Sequence, residues 1–111
     1  LNRAALAEGL AYARAIGVDP RAALDILKGS MAYSRVMDVK GEKLLTGDYS
    51  VQARLSQHLK DVRLILETAA ERGQPLPLSE THRGLLEEAE ARGWGALDNC
   101  VIARVWERPA S

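Results

Sequence analysis

Leu55, Leu59, Val62 and Leu66 recur at spacings of four, three and four residues, the pattern of one apolar helix face, with charged and polar side chains between them. This predicts a helix over 55–72, stopped by Gly73 and lying at the centre of the core. Upstream, "LNRAALAEGLAYARAIG" is apolar on nearly every side, relieved by Asn2, Arg3, Glu8, Tyr12 and Arg14. Such a helix can take neighbours on more than one face, so it reads as heavily packed and suited to a subunit contact. Gly17 offers a left-handed stop, and Asp19 before Pro20 supplies an N-cap and a first helical residue for a second helix running to about Lys28. Ser34 is placed to cap a third helix, whose apolar residues Val36, Met37, Val39, Leu44 and Leu45 lead to Thr46, with Gly41 weakening its middle. Beyond the central helix, "QPLPL" reads as an extended connector, because proline disfavours the helical conformation of the residue before it. Ser79 is then expected to cap a fifth helix, with Glu80 near its positive end; Gly93 and Gly95 stop it, and Asp98 caps a last helix to about Glu107.

No run alternates in the manner of a strand, and Ala, Leu, Arg and Glu dominate, so the predicted class is all-α: a compact bundle of about six helices in one domain, 1–111. Fifteen Lys and Arg balance fifteen Asp and Glu. A net charge of zero lacks the electrostatic footprint of a general nucleic-acid or membrane-surface binder, which leaves small molecules and other proteins as expected partners. The single cysteine, Cys100, has no internal disulfide partner, and no apolar run is long enough to span a bilayer; a cytoplasmic setting is expected. The opening on Leu1 rather than Met, inside a helical pattern, reads as a piece excised from a longer protein.

Glycine-rich phosphate loops, Cys-x-x-Cys, His-Glu-x-x-His and Gly-x-Ser-x-Gly are missing. His58 and His82 fall in different helices without ligand partners near them in sequence, so no metal is expected, and each reads as a satisfied or solvated histidine. Cys100 reads as a small buried hydrophobe. Lys60 and Asp61 interrupt "QHLKDVRLIL" beside the apolar stripe. With Ser56, Gln57, Arg63 and Leu64 as its helical neighbours, Lys60 by itself reads as a solvated lysine, while Asp61 could pair with Arg54 or with another helix.

In order, "ALAEGLAYARAIGVDP", "DYSVQARLSQHLKDVRLILETAAERGQPLPL" and "GWGALDNCV" resemble the C-terminal helical domain of the β-hydroxyacid dehydrogenases, the family of 3-hydroxyisobutyrate dehydrogenase and tartronate semialdehyde reductase, and the C-terminal domain of 6-phosphogluconate dehydrogenase. The likeness runs from Asn2 to about Val105. It implies a missing N-terminal Rossmann domain that binds NAD or NADP, a hydroxy acid or semialdehyde substrate, and a homo-oligomer. It also implies that Lys60, in Leu-Lys-Asp, reaches the cofactor across a cleft. The family's catalytic lysine, and the asparagine one turn after it, precede the matched segment, so no catalytic residue is expected in this chain; Asn2 corresponds to a later position. By itself the chain is expected to be inactive and to hold no cofactor. Around "GSMAYS" the family's glycine-containing serine loop is altered, with Ser34 retained, and Cys100 stands where serine is common. The rival reading is a free-standing helical interaction or dimerisation module.

Overall fold

Helices α1 (Asn2–Ala15), α2 (Pro20–Lys28), α3 (Arg35–Thr46), α4 (Leu55–Glu71) and α5 (Pro77–Ala91) are followed by a 3₁₀ helix, Asn99–Trp106, in the computed structural model, which describes residues 1–107. The last four residues of the expected domain lie outside the described ones. Among the described residues there is no sheet; a single antiparallel bridge joins Arg54 to Asp98. The all-helical expectation holds, and the predicted stripe is the core: Leu55, Leu59, Val62 and Leu66 are all buried, the first two completely.

Around that stripe gather Leu86 and Ala89 of α5, Val101 and Ile102 of the 3₁₀ helix, and Ala4 of α1. A second cluster joins Leu6, Ala7 and Leu10 of α1 to Leu24, Met37, Leu44 and Cys100. The first helix therefore serves both clusters, as its many small apolar residues predict, and half-buried Tyr49 and Trp106 pack against both. The 3₁₀ helix buries four consecutive residues, Asn99 to Ile102, so neighbours cover it on all sides. Burial, rather than its own poorer hydrogen-bond geometry, keeps so long a 3₁₀ segment in place.

Local signals succeed where one residue supplies the whole reason. Gly17 turns α1 off at a φ of 81°, and the Asp19 side chain accepts from the Arg21 N–H ahead of Pro20. Two caps need correction. Ser34 stands at the N-cap of α3 but makes no side-chain cap bond; its carbonyl, not its hydroxyl, accepts from Met37 N–H at 3.0 Å. Ser79 lies inside α5, which begins at Pro77, because proline's fixed φ already suits the first helical residue and the Leu76 carbonyl accepts from Glu80 N–H at 2.9 Å. Val39 is also not core: at 52% exposure it faces out while Lys40, the next residue, is buried. Gly41, expected only to weaken α3, allows close packing, since a Cβ there would lie 2.9 Å from Leu24 Cδ2.

Candidate functional site

The first turn of α4 has no side-chain cap, and its free N–H groups are taken up by a distant loop. Leu55 N–H donates to the Leu97 carbonyl and Ser56 N–H to the Gly95 carbonyl, each at 2.9 Å. Asn99 N–H returns to the Ala53 carbonyl at 2.8 Å and Asp98 N–H to the Tyr49 carbonyl at 3.1 Å. At the centre of this seam is Asp98, completely buried. Its Oδ1 accepts from the N–H groups of Gln52 and Ala53, at 2.9 and 3.1 Å, and its Oδ2 from Cys100 N–H at 3.1 Å. Lys40 Nζ, on α3, reaches both carboxylate oxygens, at 2.9 and 3.0 Å, and Gln52 Oε1 at 2.9 Å.

Burial alone would raise the Asp98 pKa; hydrogen bonding from Cys100, from the Ala53 and Gln52 N–H groups and from Lys40 outweighs it and holds the carboxyl well below its ordinary value. The same surroundings push the Cys100 thiol up to about 12, first by burial and then by its contact with Asp98. Cys100 is thus the buried, unreactive residue expected from the sequence. One turn on from Lys40, Lys43 Nζ donates to the Ser50 carbonyl at 2.6 Å and to the Ser50 hydroxyl at 3.1 Å. Two lysines of α3 therefore tie down the segment leading into α4. Sequence reasoning passed over both, although Lys40 falls on the inward spacing from Met37 to Leu44.

On the helix so anchored, Lys60 is exposed and has no hydrogen-bond or ion-pair partner among the described residues. Its neighbour Asp61, read as a partner for Arg54 or for another helix, instead accepts from Gln57 Nε2 at 3.2 Å along the same helix face. One turn beyond Lys60, half-exposed Leu64 and Ile65 border a groove of about 470 Å³, completed by Thr68, Ala69, Arg72, Gln74 and Leu76. A larger groove, of about 630 Å³, follows the α4–α5 connector, and another of about 510 Å³ lies between α1, the end of α3 and Trp106. Lys60 lines none of these three.

The histidines depart from expectation. Their rings stand edge to face with centroids 5.2 Å apart, although 23 residues lie between His58 and His82. His82 is only 4% exposed, so it is not solvated, and the buried Nε2 of half-buried His58 has no hydrogen-bond partner, so that atom is not satisfied. The described residues contain no group of three or more His, Cys, Asp or Glu able to hold a metal ion. None of the helices among them is long and apolar enough to cross a membrane.

A family described as "NAD-binding of NADP-dependent 3-hydroxyisobutyrate dehydrogenase" matches residues 1–106. The chain is 30% identical, over its full length, to 2-hydroxy-3-oxopropionate reductase of Escherichia coli K12, and 32% identical over 96% of its length to 2-(hydroxymethyl)glutarate dehydrogenase of Eubacterium barkeri. It spans only 38% and 36% of the lengths of those two proteins. A crystal structure of 3-hydroxyisobutyrate dehydrogenase from Salmonella typhimurium superposes with a TM-score of 0.88 at 25% identity, covering 93% of this chain and 36% of that one.

Proposed function

Because the chain belongs to the family of the NAD-binding region of NADP-dependent 3-hydroxyisobutyrate dehydrogenase, we propose that it is the helical C-terminal domain of an NAD(P)-dependent β-hydroxyacid dehydrogenase. In the longer enzyme, a 3-hydroxy acid would be oxidised, or the matching semialdehyde reduced, by hydride transfer. The observation that carries this reading is the match over 1–106 in a chain little more than a third as long as its enzyme relatives.

The nicotinamide ring, when bound, supplies the hydride chemistry, and the protein supplies position and electrostatics. Lys60 is the residue proposed to meet the cofactor. An unpartnered ammonium on a helix anchored at its first turn suits a contact to a ribose hydroxyl or phosphate oxygen. There is no glycine-rich loop in this sequence to cradle a pyrophosphate, so Lys60 fits as one contact of a site completed by a dinucleotide-binding domain. One ammonium falls far short of offsetting the freedom a dinucleotide loses on binding, and the chain by itself is proposed to bind NADP weakly and to be inactive. Apolar residues left open at the end of α1, Tyr12 at 65% and the C-cap Ile16 at 57% exposure, support self-association through helical faces.

Titrating the isotope-labelled chain with NADP, followed by amide chemical shifts, tests the cofactor reading. Binding no tighter than millimolar, with any shifts centred on Lys60, is expected. Micromolar binding by the chain alone, or shifts centred away from Lys60, would overturn it.

A further inference from the structure

We propose that the facing imidazoles of His58 and His82 form an acid-sensitive latch that holds α4 to α5 at neutral pH and loosens as the pair takes up protons. His58 and His82 approach to a ring separation of 5.2 Å, yet among the described residues neither makes an ion pair with a carboxylate. Neutral rings meeting edge to face attract each other. Two imidazolium ions at that separation, one of them almost wholly buried, repel.

The charges around the pair sharpen this asymmetry. From α1 comes the guanidinium of Arg3, whose buried Nε is without a partner among the described residues, and from the residue before that helix the Leu1 amine; both act against protonation of either ring. From α4 the one opposing charge acting on His58 is Asp61, which is exposed and already accepts from Gln57. Asp98, at the head of the 3₁₀ helix, acts on Arg3 but is occupied by Lys40. A proton arriving at the buried Nε2 of His58 finds no acceptor.

The direction of the coupling follows. Burial, then the Leu1 amine, His58 and Arg3, lower the His82 pKa from 6.5 to about 4; burial and Arg3 also lower that of His58. A histidine with a depressed folded pKa binds its proton more readily in the unfolded chain, so the stabilisation is complete above 6.5 and is lost as pH falls from there towards 4. For His82 alone, the ratio of folded to unfolded chain should fall by about ten- to thirtyfold between about pH 7 and pH 5.

Nuclear magnetic resonance titration of the two imidazoles, with urea unfolding of the wild-type chain and of the His58→Phe/His82→Phe variant, tests the latch. His82 should titrate below about pH 5, and the variant, which keeps two facing rings but takes up no proton, should lose most of the fall in folding equilibrium over that range. Amide exchange in acid should quicken in α5 and the first turn of α4 before it does in α2 and α3. A His82 that titrates near its ordinary value, an unchanged pH dependence in the variant, or exchange that quickens uniformly would each overturn the proposal. Should the variant fail to fold, the wild-type titration and exchange decide.

Discussion

Lys40 and Asp98, 58 residues apart in sequence, meet through Nζ–O contacts of 2.9 and 3.0 Å with both side chains closed to solvent. The carboxylate also holds three backbone N–H groups, so this pair joins α3, the segment entering α4 and the start of the 3₁₀ helix. Removing one charge leaves the other buried and unpaired. Lys40→Met and Asp98→Asn should each destabilise the chain by about 3–5 kcal/mol, read from urea unfolding. Replacing both together with apolar residues should recover little, because the N–H groups of Gln52, Ala53 and Cys100 would lose their acceptor. Near-complete recovery in the double variant would show the charge pair, not the backbone anchoring, to be what matters.

Lys60 can be separated from the fold it stands on. Its exposed side chain has no partner among the described residues, so Lys60→Ala should leave the unfolding midpoint of the chain within about 0.5 kcal/mol of wild type. In the longer enzyme proposed above, the same substitution should lower kcat/KM or weaken cofactor binding by about ten- to a hundredfold. Lys60→Arg would restore activity if only the charge counts, and would not if the geometry of the contact counts. Wild-type kinetics for Lys60→Ala would return the residue to a solvated surface lysine.

Within α4, burial should sort substitutions that hydrophobicity alone would treat alike. Leu59 is completely buried, whereas Ile65 is 54% exposed. Leu59→Ala should cost about 2–5 kcal/mol through lost transfer energy and a residual cavity. Ile65→Ala should cost under about 1 kcal/mol. Equal losses would contradict the assignment of the inward stripe.

Cys100 reports on opening of the seam around Asp98. With its pKa pushed up to about 12 and no exposed surface, the thiol should react with iodoacetamide at least about a hundredfold more slowly in the native chain than in urea at mildly alkaline pH. Asp98→Asn should speed native labelling by allowing the seam to open. Rapid labelling of the wild-type chain would show that Cys100 is reached by local fluctuation.

What the sequence by itself determined were the features whose cause lies within a turn or two of chain. The periodic stripe of α4 declared its inward face, and Gly17 and the Asp19–Pro20 step declared their turn, because each is settled by side-chain direction or backbone stereochemistry over a few residues. Even locally, competition blurred the reading: Ser79 had the chemistry of a cap, but Pro77 two residues earlier had the backbone geometry of a first helical turn. The solvated position of Lys60 could be read the same way, since its helical neighbours are mostly polar; the family resemblance, not the pattern, singled it out for a role. Tertiary structure alone decided the partners. Nothing near Lys40 in sequence predicts Asp98, and nothing near His58 predicts His82, because both meetings arise where separate helices pack against one another. A lysine on an apolar face can be written off as an imperfection of the pattern until the chain closes around it. Once it is buried, the cost of an unpaired charge requires a carboxylate beside it, and only the folded chain shows which one.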